Sequence, residues 1–361
     1  MKIIPGFSKL PKRKKLQWVV ENFFSNPEQV AHELMSFWHE DDAQQKVFDE
    51  FSENTLSNYF LPFGVAPNFI INGTAYMVPM VIEESSVVAA ASSAAKFWST
   101  RGGFRAEIVG TEKVGQVHFE WNGAFWKLAA AFERLKAELI SRTDTITENM
   151  RKRGGGIIDI ELIDFSDREP NYYQLRATFE TCDSMGANFV NSCLEEFGRI
   201  LQEFVLTNEE FADTEKEVTI IMCILSNYTP DCLVRVIAEC PVPELGTFDD
   251  GMTAAGFAAK FEKAIRIAHL DPYRATTHNK GIFNGIDAVV LATANDFRAI
   301  EACGHTYAAR TGQYRSLTYC TVRDGVFKFC AGLPEGFDSG RGPGRLRDLH
   351  LLPVCRSAGT G

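Results

Sequence analysis

Three places in the sequence put polar groups where chemistry could be done. Lys280 closes the polar stretch RATTHNK, Arg274 to Lys280, directly ahead of a run of apolar residues. In that run Ile282, Ile286, Val289, Val290 and Thr293 fall at helical spacing, and Ala288, Leu291 and Ala292 fill the other faces. A helix apolar nearly all round is normally buried. A polar group buried without a partner costs about 1–3 kcal/mol, so the groups flanking this helix are either paired or used. An ammonium is a compact charge with three donors, suited to a developing alkoxide, although most lysines are merely solvated. Asp296 lies at the far end of the run. It can hold a lysine protonated, and it can equally cap the helix that begins at FRAIEACGH with no part in chemistry. The third place is Asp183-Ser184-Met185-Gly186-Ala187-Asn188, between a strand and a helix start. Backbone amides and the helix dipole there can hold a pyrophosphate, and Gly186 permits close approach. One glycine at a helix start more often marks only a tight turn.

The elements that must position these groups follow from periodicity. Residues 14–60 are mostly helical in pattern, with Trp18, Val19, Phe23 and Phe24 on one face. Phe69 to Asn72, Gly73, and Tyr76 to Val81 read as strand, turn and strand. Ser85-Ser86 can cap the helix VVAAASSAAKFW, which Gly102-Gly103 ends. Residues 106–226 then run strand, helix (Ala124 to Ile140), strand (GIIDIELIDF), strand (YYQLRATFET), helix, strand (EVTIIMCILSN). The second helix carries Val190, Cys193, Leu194, Phe197, Leu201 and Phe204 on one stripe. The order βαββαβ is the split, ferredoxin-like pattern. From 227 to 332 come the strand LVRVIAECPV, the helix GMTAAGFAAKFEKAIRIAHLD, the lysine-bearing stretch, and a hairpin around Asp324-Gly325. The fold class is therefore α/β (α+β). A large domain, residues 1–105 and 227–332, surrounds a central buried helix and is interrupted by a small domain at 106–226. Residues 333–361 show neither period, and their Gly, Pro and Arg content reads as a disordered tail.

Composition narrows the function. A chain of 361 residues with 45% apolar and 23% charged residues has room for two domains and a sizeable core. A net charge of −10 gives no support for a nucleic-acid partner. No apolar run reaches the ~18 residues of a membrane span, so no membrane partner is expected. The N-terminus lacks the apolar core of a secretory signal, so the expected location is cytoplasmic. The nine cysteines lack close CxxC pairs, which argues for reduced thiols. No metal is expected, since no His or Cys cluster has ligand spacing. Lys12-Arg13-Lys14-Lys15 can contact an anion or form the solvated face at a helix start.

The stretch HNKGIFNGIDAVVLATANDFRA resembles the lysine-bearing segment of the class II (bacterial) 3-hydroxy-3-methylglutaryl-CoA (HMG-CoA) reductases, with Ala294 where that family usually has Gly. Residues 53–104 resemble the family's N-terminal substrate region, with Ser57 where Gly is frequent. DSMGAN followed by Val190-Asn191 resembles its nucleotide motif. The resemblance covers about residues 50–332. It implies a two-step reduction of HMG-CoA to mevalonate and CoA by NADPH or NADH, by a homodimer or higher homo-oligomer. It also implies that 106–226 is the inserted nucleotide-binding domain.

Residue by residue, the resemblance implies that Lys280 stabilises the oxyanion and Asp296 partners it. Glu84, the second glutamate of VIEESS, would be the proton donor. Its place before a helix end favours the carboxylate, whereas burial favours the acid; Glu83 is the alternative. Arg274, Ser86 and Asn284 match substrate-binding or active-site positions, although a structural ion pair is the plain reading of Arg274. Asn227 and the Gly154-Gly155-Gly156 run join the nucleotide site. Arg151-Lys152-Arg153 tips the cofactor toward NADPH, but these cations also suit a helix's last turn, and Asp144 or Glu148 could bind a ribose hydroxyl instead. The family's thiolate-protonating histidine comes from a C-terminal flap. None of the seven histidines here takes that role: His278 has a different place in the pattern, and His305 reads as a paired core residue. The flap is missing from the pattern of 333–361, which reads as truncated or frame-shifted. The rival expectation is a chain that binds ligands without turnover.

Overall fold

A computed structural model of the chain describes residues 3–182, 184, 186–248 and 251–331, so the tail expected at 333–361 lies outside the described residues. The chain divides into two compact units between Pro62 and Phe63.

The first unit holds helices α1 (Lys12–Phe23), α2 (Pro27–Ser36) and α3 (Asp42–Glu50). Proline opens α2, and the Asp41 carboxylate caps α3 by accepting from Ala43 and Gln44 N–H. Leu16 and Val20 of α1 are buried. The buried Gln45 links His39 N–H, Asp49 and Asn58. Lys12 is not a free cation, since it pairs with Asp49 at 2.5 Å and lies over the Trp38 ring. Ser57 uses its hydroxyl, donating to Leu34 C=O.

The second unit opens with a hairpin of β1 (Phe63–Ile71) and β2 (Thr74–Val81). Asn72 and Gly73, both at positive φ, make its turn. Helix α4 (Val87–Ser99) follows and ends at Gly102 and Gly103, also at positive φ. Strand β3 (Arg105–Trp121) then serves two sheets. Its second half pairs with β5 (Tyr172–Glu180) and β6 (Val218–Ser226), and β4 (Gly156–Asp164) pairs with β5. All these pairings are antiparallel and give the order β4-β5-β3-β6, the arrangement expected of a ferredoxin-like unit. Helices α5 (Phe125–Arg142), α6 (Asp144–Lys152) and α7 (Ala187–Thr207) supply its helical side. The expected stripe on α7, from Val190 to Phe204, is buried against Val117, Phe119, Leu175 and Phe179 of the sheet.

The first half of β3 pairs with β7 (Cys232–Pro241). After helices α8 (Ala254–Leu270), α9 (Pro272–Ala292) and α10 (Phe297–Ala308) come β8 (Thr318–Arg323) and β9 (Val326–Ala331). They form the hairpin expected at Asp324-Gly325, and β9 pairs with β7.

Asp271 and Pro272 start α9, the aspartate accepting from Tyr273 N–H. From Ile282 to Thr293 no residue of α9 is exposed, in keeping with its all-round apolar pattern. Its first half is different: Ala275 and Asn279 are buried, while Arg274, Thr276 and Lys280 remain exposed.

The end of α9 explains the family's glycine. Asn295 N–H returns to Val290 C=O and Ala294 N–H to Leu291 C=O, the two bonds of a Schellman cap. That cap places Ala294 in the left-handed region, at φ 56°. A non-glycine residue there costs about 1–2 kcal/mol, and glycine's extra freedom in the unfolded chain returns about 0.5–1 kcal/mol of that. Ala294→Gly is therefore expected to stabilise the chain by about 0.5–1 kcal/mol, measured as a raised urea midpoint. An unchanged or lowered midpoint would contradict this account of the cap.

Candidate active site

Two elements meet at Glu84. The carboxylate stands in the short connection between β2 and α4, and α9 presents Lys280 and Asn284, one helical turn apart, on its open face. Lys280 Nζ donates to Glu84 Oε2 at 2.8 Å, and Asn284 Nδ2 donates to the same oxygen at 3.2 Å. The Lys280 and Glu84 side chains are 62% and 47% exposed. An ion pair that open contributes little to stability, about 0–1 kcal/mol, so stability does not explain why the two elements converge here. The distance does lie within the range of direct proton transfer.

Lys280 is aimed by its neighbour. Asn279 is fully buried, its Nδ2 donating to Arg315 C=O at 2.8 Å and its Oδ1 accepting from Leu317 N–H at 3.0 Å. This clasp holds the first half of α9 against residues 315–317. His278 adds to it through Nε2 and Thr318 Oγ1, 2.7 Å apart, while His269 Nε2 meets Thr318 C=O at 2.8 Å. Sequence reasoning registered Asn279 only as a polar flank. The available signal was an amide beside a lysine on a helix whose other inward positions are apolar.

The polar candidates divide accordingly. Asp296 does not pair with Lys280. It caps α10, accepting from Arg298 and Ala299 N–H, and Arg298 Nε lies 3.1 Å from it. The Arg298 hydrogen bond is the largest of the effects that hold this carboxyl below its ordinary value. The capping reading is the one the geometry shows. Arg274 is exposed on α9 and makes no ion pair among the described residues, so the structural salt bridge is not seen. Ser86 occupies the N-cap position of α4 in the left-handed region, at φ 75°, and its hydroxyl does not cap the helix as expected. Glu83 is exposed alongside. His305 is the paired residue anticipated, with Nδ1 2.7 Å from Tyr314 OH and its ring against Phe283. Among the described residues no group of His, Cys, Asp or Glu could hold a metal ion.

The glycine motif forms a second constellation. Asp183 and Met185 lie outside the described residues. Ser184 Oγ donates to Thr181 C=O, and Thr181 Oγ1 donates back to Ser184 C=O, both at 2.7 Å. Gly186 sits at φ 71°, and a Cβ there would lie 2.4 Å from Thr181 Cγ2, so no other residue fits. Ala187 and Asn188 begin α7, whose N-terminus carries no side-chain cap. Its leading N–H groups are thus available to an anion. Gly156 pairs in register with Glu180, and Arg153 C=O accepts from Cys182 Sγ, which brings the expected glycine run beside the motif. Asn191 Oδ1 accepts from Leu225 N–H at 3.0 Å and ties α7 to the end of β6, next to the exposed Asn227. A cavity of about 480 Å³ borders Ser226 and Tyr228 on either side of Asn227. The basic run is largely spent: Arg151 pairs with Asp144 at 2.8 Å and Lys152 with Glu148 at 2.7 Å.

The chain itself is similar to known oxidoreductases of one family. Residues 13–334 match the family model described as hydroxymethylglutaryl-coenzyme A reductase, and the chain belongs to that family. Within it the chain is of the class II kind. A 3-hydroxy-3-methylglutaryl-coenzyme A reductase of Archaeoglobus fulgidus is 36% identical over 324 residues, 87% of this chain and 67% of that protein. A probable reductase of Borreliella burgdorferi is 28% identical over 321 residues, 87% of this chain and 68% of that protein. The solved reductase of Streptococcus pneumoniae superimposes with a TM-score of 0.70 at 35% identity, covering 90% of this chain and 84% of that one. A class II structure from the same organism, bound to NADPH in open conformations, gives the same figures. Among the described residues no helix is long and apolar enough to cross a membrane.

His278 supplies a test of this geometry. Burial, with smaller effects from Arg274 and His269, pushes its pKa down from 6.5 to about 4. The unfolded chain then binds more protons than the folded one between those values. Stability is expected to fall as pH drops from 6.5 and to level off below about 4. His278→Gln should flatten that limb in urea titrations run across the range. An unaltered pH profile would show that His278 is not held neutral at Thr318.

Proposed function

We propose that the chain carries out the NAD(P)H-dependent, two-step reduction of HMG-CoA to mevalonate and CoA, with Glu84, Lys280 and Asn284 at the reaction centre. The observation that carries this reading is the convergence of Lys280 and Asn284 on one oxygen of Glu84, across 196 and 200 residues of sequence. The NADPH held by the S. pneumoniae relative supports NADPH as the reductant, with NADH the alternative. When bound, the reduced nicotinamide supplies the hydride equivalents.

The chain's own residues supply the charge and the proton at the carbonyl oxygen, and the departing CoA thiolate takes its proton from solvent. Lys280 places a positive charge where negative charge develops on the carbonyl oxygen. Glu84 passes a proton to that oxygen, and Asn284 holds the carboxyl in line. Arg274 offers a bidentate grip for the HMG carboxylate, and the Ser86 hydroxyl, two residues after Glu84, makes no cap bond and is available to substrate. Residues 106–226 form the nucleotide domain on this reading. Ser184, Gly186, Ala187, Asn188 and Asn227 hold the pyrophosphate and its neighbours, and Asp183 and Met185 belong to the same motif. Two features support this cradle: a helix start with no side-chain cap, and Gly186, where a Cβ would collide with Thr181. HMG-CoA, mevalonate and CoA are the proposed small-molecule partners. A homodimer or higher homo-oligomer that covers the open face of α9 would exclude water from Lys280 and Glu84.

Two variants test this reading. Lys280→Ala should leave NADPH binding intact and lower turnover of HMG-CoA at least about a hundredfold. Turnover near the parent rate would remove Lys280 from the mechanism. Arg153 is exposed, and its side chain has no ion-pair partner among the described residues. Arg153→Gln should therefore raise KM for NADPH about tenfold, the worth of one charge-assisted hydrogen bond, and leave KM for NADH unchanged. Equal effects on both would mean that the 2′-phosphate is read elsewhere.

A further inference from the structure

We propose that Cys232 is a modification site, a thiol set to react with hydroperoxides by the ammonium of Lys113. The two side chains sit where β3 passes from one sheet to the other. Thr111 of β3 is the Cα partner of Cys232 at the start of β7, whereas Val114 of β3 is already the partner of Ser226 at the end of β6. Lys113 lies between these two pairings, and its Nζ donates to Cys232 Sγ. The buried thiol of Cys303, on α10, lies within the field of both groups.

The other described thiols are placed differently. Cys193, Cys240, Cys303 and Cys330 are buried, and burial pushes their thiols up. Burial does the same at the half-buried Cys223 and at Cys320, which reaches about 12. Cys182 is half-buried, but its thiol donates to Arg153 C=O and accepts from no cation among the described residues. Cys232 is half-buried and accepts from a cation, the setting in which cysteines react as nucleophiles.

The step balances within the pair. The thiol gives its proton to solvent and the thiolate sulfur attacks the outer oxygen of the hydroperoxide; an S–O bond forms and the O–O bond breaks. Sulfur loses two electrons and the peroxide gains them. The leaving oxygen takes a proton from Lys113 and departs as water or an alcohol, and Lys113 regains its proton from solvent. The product is a sulfenic acid at the start of β7, immediately after the connection that carries Asn227. Only a consequence for nucleotide binding rests on the function proposed above; the reactivity itself does not.

The test uses the full chain, fully reduced, treated with limiting hydrogen peroxide. It is then trapped with a dione probe specific for sulfenic acids and mapped by peptide mass spectrometry. Cys232 is expected to label fastest of the described thiols, and Lys113→Met is expected to slow it by about tenfold or more. Labelling of Cys182 at the rate of Cys232 or faster in the parent chain would overturn the proposal. So would an unchanged Cys232 rate in a folded Lys113→Met. The comparison between thiols needs no variant, so misfolding of Lys113→Met would not shelter the idea.

Discussion

A buried amide sets the direction of Lys280. Asn279 spends its donor and its acceptor on the backbone of residues 315–317 and is wholly enclosed. Both bonds must be kept, because each group left unpaired there costs about 1–3 kcal/mol. With Asn279 fixed inward and His278 held on Thr318, the helical turn directs the next residue, Lys280, outward to the β2–α4 connection. His278 is thereby held neutral by burial and committed to a structural bond, although it stands two residues from Lys280.

A second constraint is the length of β3. One continuous strand of 17 residues belongs to both sheets. The glycine motif follows β5, which pairs along β3, and β3 in turn pairs with β7 of the other sheet. The bond from Asn191 to Leu225 closes this frame at the end of β6, beside Asn227. Gly186 is needed because α7 must begin against Thr181, so the turn and the open amides are one feature.

Periodicity carried much of this architecture. The α7 stripe, the strand order and the two hairpin turns could be read because burial imposes its period on side-chain type. The helix expected from Ala124 to Ile140 stops within two residues of the end of α5, but the start of α6 at Asp144 was not read. Thr143 stands between them, fully buried and bonding back to Leu139 C=O. Capping was also misread at Ser86, since the hydroxyl's direction depends on a left-handed backbone that sequence does not display. Asp296 was open to two readings because the choice between its own helix and Lys280 is a matter of side-chain direction. The meeting of Glu84 with Lys280 lies beyond any local pattern; the family resemblance named both as active-site residues but paired Lys280 with Asp296.

The central claim is that Glu84 moves the proton while Lys280 carries the charge. The most direct measurement is nicotinamide oxidation by Glu84→Gln, with HMG-CoA and with free mevaldehyde in parallel. The amide keeps the size of the side chain and an oxygen for Lys280, but has no proton to relay. The account predicts a folded chain that binds NADPH and loses turnover of both substrates by about a hundredfold or more. Turnover of either substrate within a few-fold of the parent chain would contradict it.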